Sequence, residues 1–434
     1  MKNFCSGNST TKTITRAAAL GLLACALVQA ADWPQYRGAN HDGICAEKIA
    51  ENWPPRGPKL LWKVALPGGG FSSFAVAQGK ALTLARRPGG SGDQEFCVAF
   101  DANTGKELWA TPLGPAKYDG GGDTGTKDNR GGDGPRSTPT IDGDHAYVLS
   151  AYLALYCLDL TTGKAVWKKD LCAEFGAQNI RWQSAASPLL EGELIFVHCG
   201  APGASLMALR KRDGSAAWKC QDDKMTHATP IIATILDQRQ VIFFTQSGLV
   251  SVVPETGAEL WRYGFPFKVS TAASPVVAGD RVYCSAGYGV GSAGVKIAKA
   301  GAKFTATEIW RNEGNVICSH WSTPVYHQDH LYGMFSFKEF GTGALKCVDM
   351  ATGKEKWAQA GFGPGGVLLV NGNKVLALSD TGRMVLVEAS PQGYKEIATC
   401  QALTGKVWNS PAISNGHIFA RSTKEAVCLD VSVK

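Results

Sequence analysis

The sequence predicts an all-β fold: an eight-bladed β-propeller of four-stranded antiparallel blades, with the N-terminal strand closing the last blade. Three features point there. Trp62, Trp109, Trp167, Trp218, Trp261, Trp310 and Trp357 recur at intervals of 47, 58, 51, 43, 49 and 47 residues, and a period near fifty marks a repeat architecture. The stretches between them break into short apolar or alternating runs separated by turn residues, which is strand patterning. Finally, Leu60-Leu61-Trp62-Lys63-Val64 is a Trp strand with no unit before it, while the last unit ends at Cys428-Leu429-Asp430 without a Trp strand of its own. Joining the two closes a ring and leaves no sheet edge open.

The best unit reads Ser137-Thr138-Pro139-Thr140, Ile141-Asp142-Gly143-Asp144, His145-Ala146-Tyr147-Val148-Leu149-Ser150, then Leu155-Tyr156-Cys157-Leu158-Asp159-Leu160-Thr161-Thr162-Gly163-Lys164-Ala165-Val166-Trp167. Its Asp-Gly steps suit hairpin turns. In the D-x-x-T-G step the Asp side chain accepts turn N–H groups and Gly takes the positive φ; Asp101 with Gly105, Asp159 with Gly163, and Asp349 with Gly353 follow it, whereas Arg210 and Val253 break the Asp slot but keep Gly214 and Gly257. Unit starts fall at Phe74, Pro139, Pro188, Pro230, Pro275, Pro324, Val367 and Pro411, with Ala398 in the Trp slot of the seventh unit; a seven-bladed ring is the alternative count. Each Trp is expected to pack its broad face between neighbouring units. The 51 Gly among 434 residues suit a protein of many tight turns. Residues 287–303, rich in Gly, Ala and Lys, read as a loop.

The chain divides into a signal peptide (1–30), an extended segment (31–59) and the propeller (60–434). Lys2, Lys12 and Arg16 precede an apolar run over 17–28, and Val28-Gln29-Ala30 offers small-residue cleavage chemistry. The run is shorter than the roughly 20 residues of a membrane span, so no transmembrane segment is expected. Leu22-Leu23-Ala24-Cys25 reads alternatively as a lipoprotein box, which would make Cys25 a lipid anchor; continuation of the apolar run past Cys25 favours cleavage after Ala30. Net charge is +7 and falls to 41 basic against 37 acidic residues without the signal cations, a balance that argues against nucleic acid and against a polybasic membrane face. Of 13 Cys, Cys97, Cys157, Cys347 and Cys428 share one slot of the repeat and Cys199 and Cys284 another; equivalent slots are held apart by the architecture, so buried free thiols are expected rather than a disulfide framework.

The succession S/T-P, G-D-x-V-Y, A/C-L-D, T-G-K and W resembles the PQQ-like repeat. That repeat is the unit of quinoprotein alcohol dehydrogenases and of the BamB propeller lipoproteins of the outer-membrane β-barrel assembly machinery. The resemblance covers about residues 60–434. The opening Asp32-Trp33-Pro34-Gln35-Tyr36-Arg37-Gly38, with Asp42-Gly43, is similar to the start of exported bacterial members. The resemblance implies the propeller fold but not one activity. Catalytic members hold PQQ with Ca²⁺ through acids and an Asn, use an Asp base, and many carry two adjacent cysteines over the quinone with a Trp beneath. Here no cysteines are adjacent, and no acid set or base matches residue by residue.

A propeller binds ligands at its channel mouth, formed here by the residues just before each S/T-P: Arg136, Arg181, Trp182, His227, Lys268, His320, Trp321 and Trp408. Five blades thus aim a basic or titratable group at one face with three Trp interleaved, a rim suited to an anionic or aromatic ligand; the competing reading is a channel filled by water and internal hydrogen bonds. His227 and His320 lack a metal-ligand spacing. Residues 114–134, with Asp119, Asp123, Asp128 and Asp133, lack a calcium-loop pattern and read as a solvated insertion. The expectation is an exported non-catalytic scaffold of the bacterial envelope, located in the periplasm or secreted. It would bind envelope proteins or an acidic small ligand, with no cofactor, metal or catalytic residue. The alternative is a PQQ-dependent dehydrogenase of alcohols or sugars using PQQ with Ca²⁺, and a third is a purely structural propeller inside a larger envelope complex.

Overall fold

The computed structural model describes Met1 and residues 32–433, apart from 67, 91, 119–133, 270 and 336. The signal segment with Cys25, and the acids of the 114–134 insertion, lie outside the described residues.

Eight four-stranded antiparallel sheets form the molecule. The first blade is Ala75–Ala77, Lys80–Gly89, Gly92–Asp101 and Glu107–Pro115; the second is Thr140–Asp142, His145–Leu149, Ala154–Asp159 and Ala165–Asp170. Blades three to seven begin with Leu189–Glu191, Ile231–Ile235, Val276–Ala278, Val325–His327 and Gly366–Val370. The eighth runs Ala412–Ser414, His417–Arg421 and Glu425–Asp430, and its outer strand is Lys59–Ala65 from the other end of the chain, with Trp62 opposite Cys428 and Val64 opposite Ala426. The predicted closure is therefore the observed one. The single short helix among the described residues, Leu171–Phe175, follows the second blade, and no helix there is long and apolar enough to cross a membrane.

Adjacent blades pack face to face: Leu149, Leu155 and Cys157 of the second blade share a buried cluster with Val197, Cys199 and Met207 of the third. The repeat cysteines sit in these layers, and all eleven described cysteines are free, eight of them buried. Burial pushes thiols such as Cys157 up to about 11, which keeps them protonated and inert.

The recurrent Trp joins blade to blade. Its indole N–H donates to a carbonyl in the turn between the third and fourth strands of the next blade: Trp62 to Ala102 at 2.8 Å, Trp109 to Leu160 at 3.1 Å, Trp167 to Lys211 at 2.9 Å, Trp218 to Pro254 at 2.7 Å, Trp310 to Met350 at 2.9 Å and Trp357 to Ser390 at 2.8 Å. The T-G step makes room for the ring. Gly163 has φ 69°, and a Cβ there would stand 2.6 Å from the Trp109 indole. The Asp of the same turn works as expected, Asp159 Oδ1 accepting from Thr162 N and Oγ1 at 2.7 Å.

Two exceptions follow from the same geometry. The fifth blade has no T-G turn, and Trp261 bonds instead to Gln240 Oε1 at 2.5 Å within its own blade. In the eighth blade the outer strand arrives from the N-terminus, so no turn links strands three and four; the preceding blade carries Ala398 in the Trp slot.

The expectation of a loop over 287–303 is corrected. Gly291–Ala300 and Lys303–Asn312 are paired ten-residue strands, of which Val295 and Ile297 are buried and Lys296 exposed. Small Ala and Gly side chains left too little hydrophobic contrast for the alternation to be read.

In antiparallel blades the links between blades and the turns between strands two and three lie at one end of the channel, and the remaining turns at the other. The segment from Trp33 to Glu51 crosses the second end. Trp33 pairs with Val76, Ile141 N donates to Pro34 O, Cys45 N to Leu369 O, and Ala50 N to Val431 O. Arg37, 2% exposed, reaches into the channel and donates to Thr323 O at 2.7 Å and Pro324 O at 2.9 Å. This end is sealed by the chain's own N-terminal segment.

Candidate functional site: the channel mouth

The open end is built by the links that enter each inner strand. Thr and Ser of the S/T-P steps tie these links together: Ser73 N donates to Thr138 Oγ1 at 3.0 Å, Thr138 N to Ser187 Oγ at 2.9 Å, and Ser187 N to Thr229 Oγ1 at 2.9 Å. This rigid ring fixes where the preceding side chains stand. Inside it lies a cavity of about 80 Å³ to which all eight blades contribute.

The eight predicted rim residues divide into three groups. Arg136, His227, Trp321 and Trp408 line the cavity. Arg181, Trp182 and Lys268 line a separate cleft of about 400 Å³ beside the third and fourth blades, together with Lys224 and with no carboxylate. His320, 5% exposed, lies under an aromatic cluster, its ring 5.3 Å from both Tyr288 and Phe337 and 4.8 Å from Trp321. The expectation of one continuous rim is corrected: Trp182 and Gln183 adopt φ 69° and 60°, and Arg181 lines the cleft beside the mouth instead of the cavity.

A stack of aromatic rings fills the mouth. Trp321 and Trp408 are 4.7 Å apart and 13° from parallel; Phe340 lies 5.2 Å and Phe71 4.7 Å from Trp408. Lys406 Nζ stands 4.3 Å from the Trp408 ring centre, and Lys338 Nζ lies 5.0 Å from that of Tyr288. Arg181 covers the Trp182 ring at 4.8 Å. Such pairs hold cations over ring faces.

The two histidines do not add charge. Burial, then the Arg136 guanidinium, bring His227 down to about 3; burial, then His227 and Lys338, do the same for His320. Both are neutral at physiological pH, so the positive charge of the mouth belongs to Arg136, Arg181, Lys224, Lys268, Lys338 and Lys406. Arg136 is itself held in place: it donates to Trp182 O at 2.5 Å and lies 5.2 Å from the Tyr118 ring. Tyr118 in turn donates to the buried Glu95 carboxyl at 2.7 Å, which also accepts from Ala151 N at 2.9 Å. Burial pushes Glu95 up to about 7.

No group of three or more His, Cys, Asp or Glu side chains is arranged to hold a metal ion among the described residues. Sequence reasoning missed Tyr288, Phe337, Lys338 and Phe340, which come from turns between strands two and three, where no period marks a position. Lys406 and Asn409 flank Trp408 and were within reach of the same slot argument.

A family model described as outer membrane protein assembly factor BamB matches residues 93–359. Two proteins of that name are each 23% identical to this chain. The one from Moranella endobia (strain PCIT) aligns over 64% of this chain and the one from Shewanella oneidensis over 65%, in each case 71% of the relative. Among solved structures, BamB from Moraxella catarrhalis superposes with a TM-score of 0.59 at 15% identity, covering 86% of this chain and 99% of that one. The quinohemoprotein alcohol dehydrogenase of Comamonas testosteroni gives 0.64 at 13%, covering 93% and 81%. At these identities the structural likeness shows the fold alone.

Proposed function

Because the chain belongs to the PQQ-like repeat family described as outer membrane protein assembly factor BamB, we propose that it is an exported, non-catalytic scaffold of the bacterial envelope that holds other envelope proteins at its channel mouth. The observation that carries this reading is the mouth itself. The stack of Trp321, Trp408, Phe340 and Phe71 fills the mouth, with Trp321 and Phe340 half-buried over the buried Trp408 and Phe71, and the exposed Tyr288, Lys338, Arg181 and Lys268 surround it. A surface of aromatic rings and cations suits an acidic partner segment with aromatic or aliphatic anchors. Residues 1–30 would direct export; fatty-acid labelling lost in Cys25→Ala would mark the lipoprotein variant of the same reading.

The dehydrogenase alternative fares worse on size and charge. Pockets for small organic ligands usually measure about 300 Å³ or more, and the cavity offers about 80 Å³. A hard cation such as Ca²⁺ takes carboxylates and carbonyls, and no carboxylate lines the cavity. An anionic aromatic quinone with its calcium ion does not fit these residues without displacing the stack.

Two measurements test the reading. A photo-crosslinker at Tyr288 or Lys338 should capture one defined envelope protein in cells, and a crosslinker at Lys168 on an outer strand should not. Purified protein supplied with PQQ and Ca²⁺ should reduce no dye over a panel of alcohols and sugars. Saturable turnover, or equal capture from both positions, would overturn the proposal.

A further inference from the structure

We propose that the cavity inside the ring of S/T-P steps binds one compact oxyanion of about four or five non-hydrogen atoms, of the carboxylate, bicarbonate, phosphate or sulfate kind. This does not rest on the scaffold reading, because the cavity lies beneath the stack that a protein partner would meet.

Three side chains that line the cavity are more than nine-tenths buried and carry polar atoms with no hydrogen-bond partner: Asn409 through both Oδ1 and Nδ2, Ser322 through Oγ, and Trp408 through Nε1. An unsatisfied buried polar group is costly, and folded proteins leave few of them. Three such residues in the lining of one cavity point to something polar held there.

The chemistry of the atoms selects its sign. The indole N–H can only donate, and so can the guanidinium of Arg136, which lines the same cavity. Asn409 Nδ2 adds two more donors. The lining contains no carboxylate, and Lys406 stands behind the Trp408 ring. A donor-rich, positively charged, half-apolar cavity prefers an anion over a neutral or cationic guest. Ser322 Oγ and Asn409 Oδ1 can in addition accept from a protonated oxygen, as bicarbonate or hydrogen phosphate would offer. Room decides the size: about 80 Å³ holds roughly five water-sized groups, enough for such an ion and too little for a ring system. Neutral His227, also in the lining, is held down by burial and then by Arg136; an anion beside them would raise it, giving a second signal by NMR.

The test is calorimetry and intrinsic fluorescence of the purified protein in chloride at fixed ionic strength, titrated with acetate, bicarbonate, phosphate and sulfate. At least one should bind saturably with one site per chain and raise the His227 titration midpoint. Trp408→Phe keeps a ring in the stack and removes only the N–H; it should weaken binding about tenfold, the value of one hydrogen bond to a charge. Asn409→Leu should abolish binding by filling the cavity with an apolar chain. Arg181→Ala and Lys268→Ala, in the lateral cleft, should leave it unchanged. The proposal is overturned if all four salts behave as chloride does, if Trp408→Phe and Asn409→Leu both bind as the wild type does, or if the lateral-cleft variants abolish binding while those two retain it.

Discussion

Trp62 donates its indole N–H to the Ala102 carbonyl at 2.8 Å, where the outer strand of the eighth blade meets the first blade. Arg421 crosses the same seam. Its guanidinium, fully buried, donates to Thr83 Oγ1 at 2.9 Å, to Gly69 O at 3.0 Å and to Leu84 O. An ordinary blade contact is backed by a continuous chain. So is this one, since Lys59–Ala65 runs on into the first blade; what no chain backs is the pairing of Lys59–Ala65 with Glu425–Asp430 inside the eighth blade, and Arg421 braces it from the C-terminal side, so changes here should be felt by the whole disc.

Trp62→Ala removes a nearly buried aromatic ring and leaves the Ala102 carbonyl unpaired. It should cost about 3–5 kcal/mol, the usual range for such truncations. Urea unfolding of the purified protein should show a lower midpoint than Trp357→Ala, whose ring is only half-buried.

Ala398→Trp restores the repeat consensus but should not stabilise the protein. The next blade has no turn to receive the indole, and Trp53 already packs in the cluster that contains Ala398. Differential scanning calorimetry should give an unchanged or lower Tm; a gain would contradict the docking rule.

Arg421→Met keeps volume but strips three acceptors of their donor. The loss should be about 3 kcal/mol or more. Arg421→Lys should recover only part of it, because one ammonium group cannot reproduce the fork that meets Thr83, Leu84 and Gly69 together.

Glu95 sets a pH dependence. Its carboxyl is pushed by burial from the ordinary 4.5 to about 7 in the folded protein. The folded state therefore holds a proton that the unfolded chain has released, and the associated stability is complete below about 4.5 and lost as pH rises through about 7. The total is up to about 3 kcal/mol for a shift of this size. Denaturation midpoints measured from pH 5 to 8 should fall, and Glu95→Gln should flatten that slope.

Partner binding at the mouth should respond to salt but not to mild acid. Arg181→Ala with Lys268→Ala should slow association several-fold at low ionic strength and less so at high. Between pH 5 and 8 affinity should stay level, since His227 and His320 are held near 3. A rise in affinity near pH 6 would mean that one of them is charged there.

Much of the fold was legible because each unit repeats one physical need, a broad anchor between sheets. Trp62 without a unit and a unit without Trp62 could be joined on paper, and the observed register of Trp62 on Cys428 is that join. The thiol slots were readable for the same reason. The site was legible only where residues keep strict register with the S/T-P step, as Arg136, His227, Trp321 and Trp408 do. Arg181 and Trp182 share that register in sequence, but they line the cleft beside the mouth. His320 precedes Trp321, and its ring is buried beside the Trp321 ring under Tyr288 and Phe337. Tyr288, Phe337 and Lys338 reach the mouth from turns of unequal length, which no periodicity can locate.

The strand Lys59–Ala65 leaves the ribosome long before its partner, Glu425–Asp430, has been translated. Until then the opening blade has a bare flank and the closing sheet lacks its rim, so ring closure must wait for Glu425–Asp430, a long-range step of the slow kind. A premature stop before Glu425 would thus leave the early strand unpaired, and holding it in that aggregation-prone form during synthesis becomes a task for cellular helpers.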